Sequence, residues 1–178
     1  MAFGRILLVM VLVAGPTFFL TALGRRFLPR LICAKTKSGF GGALVLFVLG
    51  QVTVTEYLFW QGYVVATSFP WSEYAEGLDR FAAYVTVGPS FIQGLLGLAL
   101  LVLLVAKRSS AALAGVIVLL WLMGPIAVLI ESWYFHLSYS VSALLPMFLW
   151  TVAWTAYLVL SPRVALTYGT VRGHRLAD

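Results

Sequence analysis

The chain has 178 residues, of which 62% are hydrophobic and 10% charged. Charged residues make up about a quarter of an ordinary soluble domain, so a soluble globule is excluded. The formal net charge of +6 does not imply a nucleic-acid partner. Nucleic-acid binders gather their basic residues on one solvated face, whereas ten of the twelve Lys and Arg residues here fall in three separate stretches.

Those stretches are Arg25, Arg26, Arg30, Lys35 and Lys37, then Lys107 and Arg108, then Arg163, Arg172 and Arg175. They separate runs that contain no Asp, Glu, Lys or Arg, at 6–24, 38–55, 81–106, 109–130 and 132–162. A helix needs about 20 apolar residues to cross roughly 30 Å of hydrocarbon, and short basic loops stay on the cytoplasmic side. The pattern predicts an all-α polytopic integral membrane bundle of five transmembrane helices, with its N-terminus outside and its C-terminus cytoplasmic. Only Arg5 and Arg80 then lie outside. Residues 1–37 form an N-terminal transmembrane helix and basic cytoplasmic loop, 38–168 a four-helix membrane core, and 169–178 a basic cytoplasmic tail. The lone Cys33 offers neither an intrachain disulfide nor a Cys-based metal site.

In chain order, the first helix covers Arg5 to Leu23 and bends at Gly15-Pro16, where an amide is missing from the helical ladder. One Arg precedes its apolar run and three follow, which argues against a cleaved signal peptide. The second helix runs outward from Gly41 to Thr67. Beyond it, Trp71, Tyr74, Leu78, Phe81 and Val85 recur at spacings of three or four, opposite Ser72, Glu73, Glu76, Asp79 and Arg80. With Pro70 near its first turn, this stretch reads as a short outer amphipathic helix. Its Trp71, Tyr74, Leu78 and Phe81 face should lie on the membrane surface or dock a partner.

The third helix is expected from Gly88-Pro89 inward to Lys107, and the fourth from Ala111 to Glu131 with a bend at Gly124-Pro125. Trp133, Tyr134, Phe135 and Tyr139 then sit at the outer interface, where amphipathic rings concentrate. The fifth helix runs inward from Ser142 to Leu160. Ser90 with Gly94, and Ala111 with Gly115, have the spacing that lets helix backbones approach closely within a bundle.

Only one carboxylate lies well inside a span. Glu56 is fourteen residues beyond Gly42, about 21 Å along a helix, and an acidic group there needs a partner, water or a proton. Trp60 and Tyr63 follow on its face, and Glu131 ends the fourth helix on the same side with His136 beyond it. Glu56, Trp60, Gln61, Tyr63, Glu131 and His136 are therefore the candidate ligand or proton site, an outward-opening pocket that Trp133 and Tyr134 would also wall. His136 and His174 fall on opposite sides of the membrane in this topology, so they cannot share a metal or haem within one chain. No phosphate-binding glycine loop, HExxH or Ser elbow is present. No catalytic residue, metal site or cofactor is expected.

The last span carries the most specific pattern. Trp154, Tyr157, Ser161, Arg163 and Val164 have the W-x-x-Y-x-x-x-S-x-R-V spacing, and upstream stands Lys37-Ser38-Gly39-Phe40-Gly41-Gly42. Together these resemble a family of small bacterial membrane proteins catalogued as domain of unknown function 2569. Ala43, Ala156 and Pro162 stand where that family has tryptophan, proline and a basic residue. The resemblance covers about residues 38–168 and implies a bacterial inner-membrane, multi-pass protein without an assigned activity. The motif reads as an anchor, because Arg163 closes a cytoplasmic helix end where cations favour the dipole and the headgroups.

The function expected is non-enzymatic: an accessory, assembly or regulatory subunit of a larger membrane protein or complex. The alternative is a small proton-linked transporter or ligand-binding membrane protein that uses Glu56. The partners are the bilayer and another membrane protein, or a second copy of the chain, and not nucleic acid.

Overall fold

The computed structural model describes residues 2–33, 38–74, 77–136 and 138–177, and gives the backbone alone at 2–10, 78, 79 and 143. The described residues form helices only: α1 (Ala2–Arg26), α2 (Ala43–Ser68), a 3-10 turn (Trp71–Tyr74), α3 (Gly77–Ala106), α4 (Ser110–Trp121), a π-helical turn (Leu122–Ile126), α5 (Ala127–Phe135), α6 (Val141–Leu160), α7 (Pro162–Tyr168) and α8 (Val171–Ala177). Three stretches are long and apolar enough to cross a membrane: α2, α3 from Arg80, and Ser110–Phe135. A fourth is added if α6 and α7, bent by 67°, count as one span. The protein is an all-helical chain with several membrane-spanning candidates.

Local chemistry sets the breaks. Gly42 opens α2 at φ 60°, ψ −134°, a conformation that glycine adopts without a Cβ penalty. Ser109 caps α4 by accepting from the Ala112 amide at 3.1 Å. The bend expected at Gly124-Pro125 takes the form of the π turn, with Gly124 at φ −105°, ψ −107°. Such insertions commonly accommodate a missing donor.

Two expectations need correction. The separate outer helix and a third span beginning at Gly88-Pro89 are not found; one turn at Trp71–Tyr74 leads into a single helix that runs from Gly77 through Pro89 to Ala106. Proline removes its own amide donor and crowds the carbonyl four residues back, yet the helix continues across Pro89 to Ala106. Within the C-terminal basic segment, α8 packs on α7. A Cβ at Gly173 would lie 2.3 Å from the Ala165 carbonyl oxygen.

α2 and α3 form the main helix pair, with α1 against both, α4 beside α3, and α6 against α4, the π turn and α7. Hydrophobic burial gives little drive for helix association in lipid, so small residues decide where backbones approach. Gly62 receives the ring of Phe91, and Gly94 that of Phe59. At Gly97 a Cβ would sit 2.4 Å from the Thr55 hydroxyl.

Candidate functional site

Two places combine shape with polar chemistry. The first is the basic end of the bundle, where α2 begins and α3 ends. Arg108, in the α3–α4 connection, donates through Nη1 to the Leu104 carbonyl at 2.8 Å and to the Tyr168 hydroxyl at 3.2 Å, and through Nη2 to the Gly24 carbonyl at 2.7 Å. The Tyr168 hydroxyl in turn donates to Leu104 O. The guanidinium also lies over three rings, 5.2 Å from Phe40, 5.4 Å from Tyr168 and 6.0 Å from Phe27.

Among the described residues no carboxylate pairs with Arg108. Its charge is met instead by the C-terminal carbonyls of α1 and α3, the negative ends of two helix dipoles, and by ring faces. Burial draws the guanidinium below its ordinary value, with Tyr168 opposing the shift, and a group that titrates so high stays charged.

Around this latch, Ser161 caps α7 by accepting from the Val164 amide, and Pro162 takes the first helical position. The Arg30 and Leu31 amides donate to the Thr167 and Leu166 carbonyls at 3.1 and 3.0 Å, satisfying the open end of α7. The two stretches that carry the sequence resemblance meet here. Gly39 N donates to Thr167 Oγ1 at 3.0 Å. The Arg163 guanidinium covers Gly41 and Gly42, and a Cβ on Gly42 would lie 2.5 Å from its Nη1. Trp154 packs on Phe47 at 4.8 Å and edge-on against Tyr157 at 5.5 Å. Val164 is fully buried.

The second place is a groove of about 800 Å³ between α2, α6 and the π turn. Within it the Trp150 ring sits so near Gly50 that a Cβ there would lie 2.5 Å from it. Its lining includes Tyr57, Met123, Met147 and Trp150. The polar side chains in it are Gln51, Thr53, Gln93 and Thr151. Gln51 is 1% exposed and its Oε1 has no hydrogen-bond partner.

The residues singled out by sequence are placed as follows. Glu56 is half-buried on α2 and lies outside the groove lining. Trp60 and Tyr63 are exposed with their rings 5.8 Å apart, and Gln61 is exposed. Glu131 accepts a 2.6 Å hydrogen bond from Gln93 Nε2, which ties α5 to α3. His136, exposed at φ 52°, ends α5 by donating its backbone N–H to Ser132 O.

No hydrogen bond, ion pair or ring contact among the described residues joins Glu56, Trp60, Gln61 or Tyr63 to Glu131 or His136. The Trp133 side chain is 78% exposed and Tyr134 packs edge-on to Phe135. At the aromatic end, Phe69 lies 5.0 Å from both Trp71 and Tyr74, Trp71 lies 6.1 Å from Tyr84, and Trp71 Nε1 donates to Ala66 O at 2.8 Å. Phe81 is exposed and makes no ring contact with them, and the Leu78 side chain is outside the described residues. No cluster of three His, Cys, Asp or Glu side chains suited to a metal occurs among the described residues.

Gln93, Gln51, Arg108 and Tyr168 were not identified from sequence as site residues. Gln51 and Gln93 are the only amide side chains in the charge-free runs 38–55 and 81–106, and that rarity is the signal that marks them. Nothing in the sequence pairs Arg108 with Tyr168, sixty residues apart.

No protein-family model, curated protein or solved structure matches this chain.

Proposed function

We propose that this chain is a non-enzymatic accessory or assembly subunit that docks on a larger membrane protein through its aromatic end. In this reading it crosses a bacterial inner membrane five times, with α1 as the first crossing, the aromatic end outside and the basic end in the cytoplasm. The family resemblance carries the bacterial inner-membrane placement, and the split of basic residues supports the orientation.

The observation that carries the docking role is the ring cluster of Phe69, Trp71, Tyr74 and Tyr84. These rings hold one another and the 3-10 turn in place, yet Trp71, Phe81 and Tyr84 remain 40%, 61% and 55% exposed. Fixed aromatic rings bury a large area on docking and lose little conformational freedom, which is why they dominate interface energetics. The proton-linked alternative has less support, because Glu56 lies outside the groove and no described residue pairs with it.

The test is purification of the full chain in mild detergent. A stoichiometric foreign membrane protein is expected to accompany it and to be lost from the Trp71→Asp/Phe81→Asp double variant, while Ser72→Asp retains it. Isolation of the chain alone from its native membrane would sink the docking role. Cysteines placed near residues 3, 72 and 138 should react with an impermeant thiol reagent from outside, and ones near 109 and 174 should not.

A further inference from the structure

We propose that the groove between α2 and α6 is a binding site for an isoprenoid quinone or its quinol, held by the amide of Gln51. This goes beyond the docking role, which uses the aromatic end of the bundle rather than its middle. Four observations converge on it.

The first is depth. Gln51 lies nine residues beyond Gly42, about 13 Å along α2, and so near the middle of a hydrocarbon core roughly 30 Å thick. Among the described residues no charged side chain lines the groove. Glu131 is held by Gln93 of the lining, but among the described residues no charged neighbour is bonded to Gln51 itself. A charged headgroup at its depth would lack water, so the occupant is neutral.

The second is the unmet amide. Gln51 is 1% exposed, its Oε1 is buried without a partner, and no described residue bonds to either amide atom. A buried primary amide left unpaired is costly, and it offers a donor and an acceptor side by side. A quinone carbonyl accepts from its NH2, and a quinol hydroxyl donates to its C=O. An alkyl chain satisfies neither.

The third is the shape of the walls. Tyr57, Trp150 and Trp154 line the groove with flat rings, and Met123 and Met147 line it with thioethers. Planar rings stack on the former, and sulfur packs favourably at ring edges. The volume of about 800 Å³ lies in the range of ordinary ligand sites.

The fourth is access. Leu46, Val54 and Tyr57 are 61%, 38% and 61% exposed at the rim, so a tail can leave sideways into lipid.

The experiment uses the full chain in lipid nanodiscs titrated with decylubiquinone, read by quenching of tryptophan fluorescence. Saturable quenching is expected. Gln51→Leu, which keeps the volume and removes the amide, should weaken binding by about 3- to 10-fold without lowering the thermal midpoint. Val54→Trp, which fills the groove from its exposed rim, should abolish the saturable component. Quenching that never saturates, or saturable quenching that neither substitution alters, would overturn the assignment. So would equal displacement of decylubiquinone by decane, which would make the groove a slot for alkyl chains, or photocrosslinking from position 57 to a foreign protein helix in native membranes. Loss of the copurifying subunit in Trp71→Asp/Phe81→Asp leaves these outcomes unchanged, so the two proposals fail separately.

Discussion

The two ends of this bundle are built differently. At the basic end, Leu44, Phe47, Val48, Leu100, Leu104, Val116, Leu158, Val164 and Tyr168 are all buried to 5% exposure or less, and Arg108 links the ends of α1 and α3 to α7. At the aromatic end, neither α5 nor the 3-10 turn has a buried residue, and the rings there are largely exposed. The contrast shows what holds helices together where the hydrophobic effect contributes little between them. Firm packing follows places where a loop residue can reach a backbone carbonyl or a glycine can admit a neighbour. Arg108 provides the first at the basic end, with Tyr168 of α7 bonded to the same carbonyl, and Gly42 and Gly173 provide the second. The aromatic end keeps flat, exposed rings suited to a lipid interface or a partner.

If that contrast is correct, substitutions at the basic end should cost the most. Arg108→Met takes the Nη2 donor from the Gly24 carbonyl, leaves Leu104 O with Tyr168 in place of two side-chain donors, and removes the ring contacts. It should lower stability by about 2–4 kcal/mol, measured as the thermal midpoint in detergent, and Arg108→Lys should recover only part because lysine lacks the planar fork. No change in midpoint would mean that the latch does not hold the bundle.

Gly42→Ala forces a side chain into a positive-φ position beneath Arg163 and should cost about 1–3 kcal/mol. Hydrogen exchange is the sharper readout, since protection should fall at the start of α2 and not at its far end. Ser161→Ala removes the cap of α7 and should cost about 1 kcal/mol. Thiol accessibility of a cysteine at position 166 would report whether α7 has lifted away.

The smallest effect belongs to the other end. Phe81→Ala and Trp133→Ala remove exposed rings and should change the stability of the isolated chain by no more than about 0.5 kcal/mol. A loss as large as that of Gly42→Ala would show that these rings support the fold, and the difference between the ends would disappear.

Much of the site was not legible because its members lie far apart in sequence. The grouping of Glu56 with Glu131 rested on their sharing one side of the membrane, which fixes height but not azimuth around the bundle. In the structure Glu131 meets Gln93 of α3 instead. The boundary between the outer stretch and the third span is hidden from the sequence for a related reason. The spacing of Trp71, Phe81 and Val85 shows which face is apolar, but not whether the helix ends before Pro89 or continues through it.

The sequence alone determined the membrane class and several helices long and apolar enough to span, because hydrocarbon thickness and the cost of burying charge act on local composition. Only the tertiary structure decided that Gly39–Gly42 and Ser161–Val164 form one cluster, that Arg108 is answered by helix ends and rings, and that Gln51 faces a groove with no partner of its own. Those outcomes depend on which helix faces meet, and in lipid that choice rests on small residues and single hydrogen bonds, which leave little trace in composition or spacing.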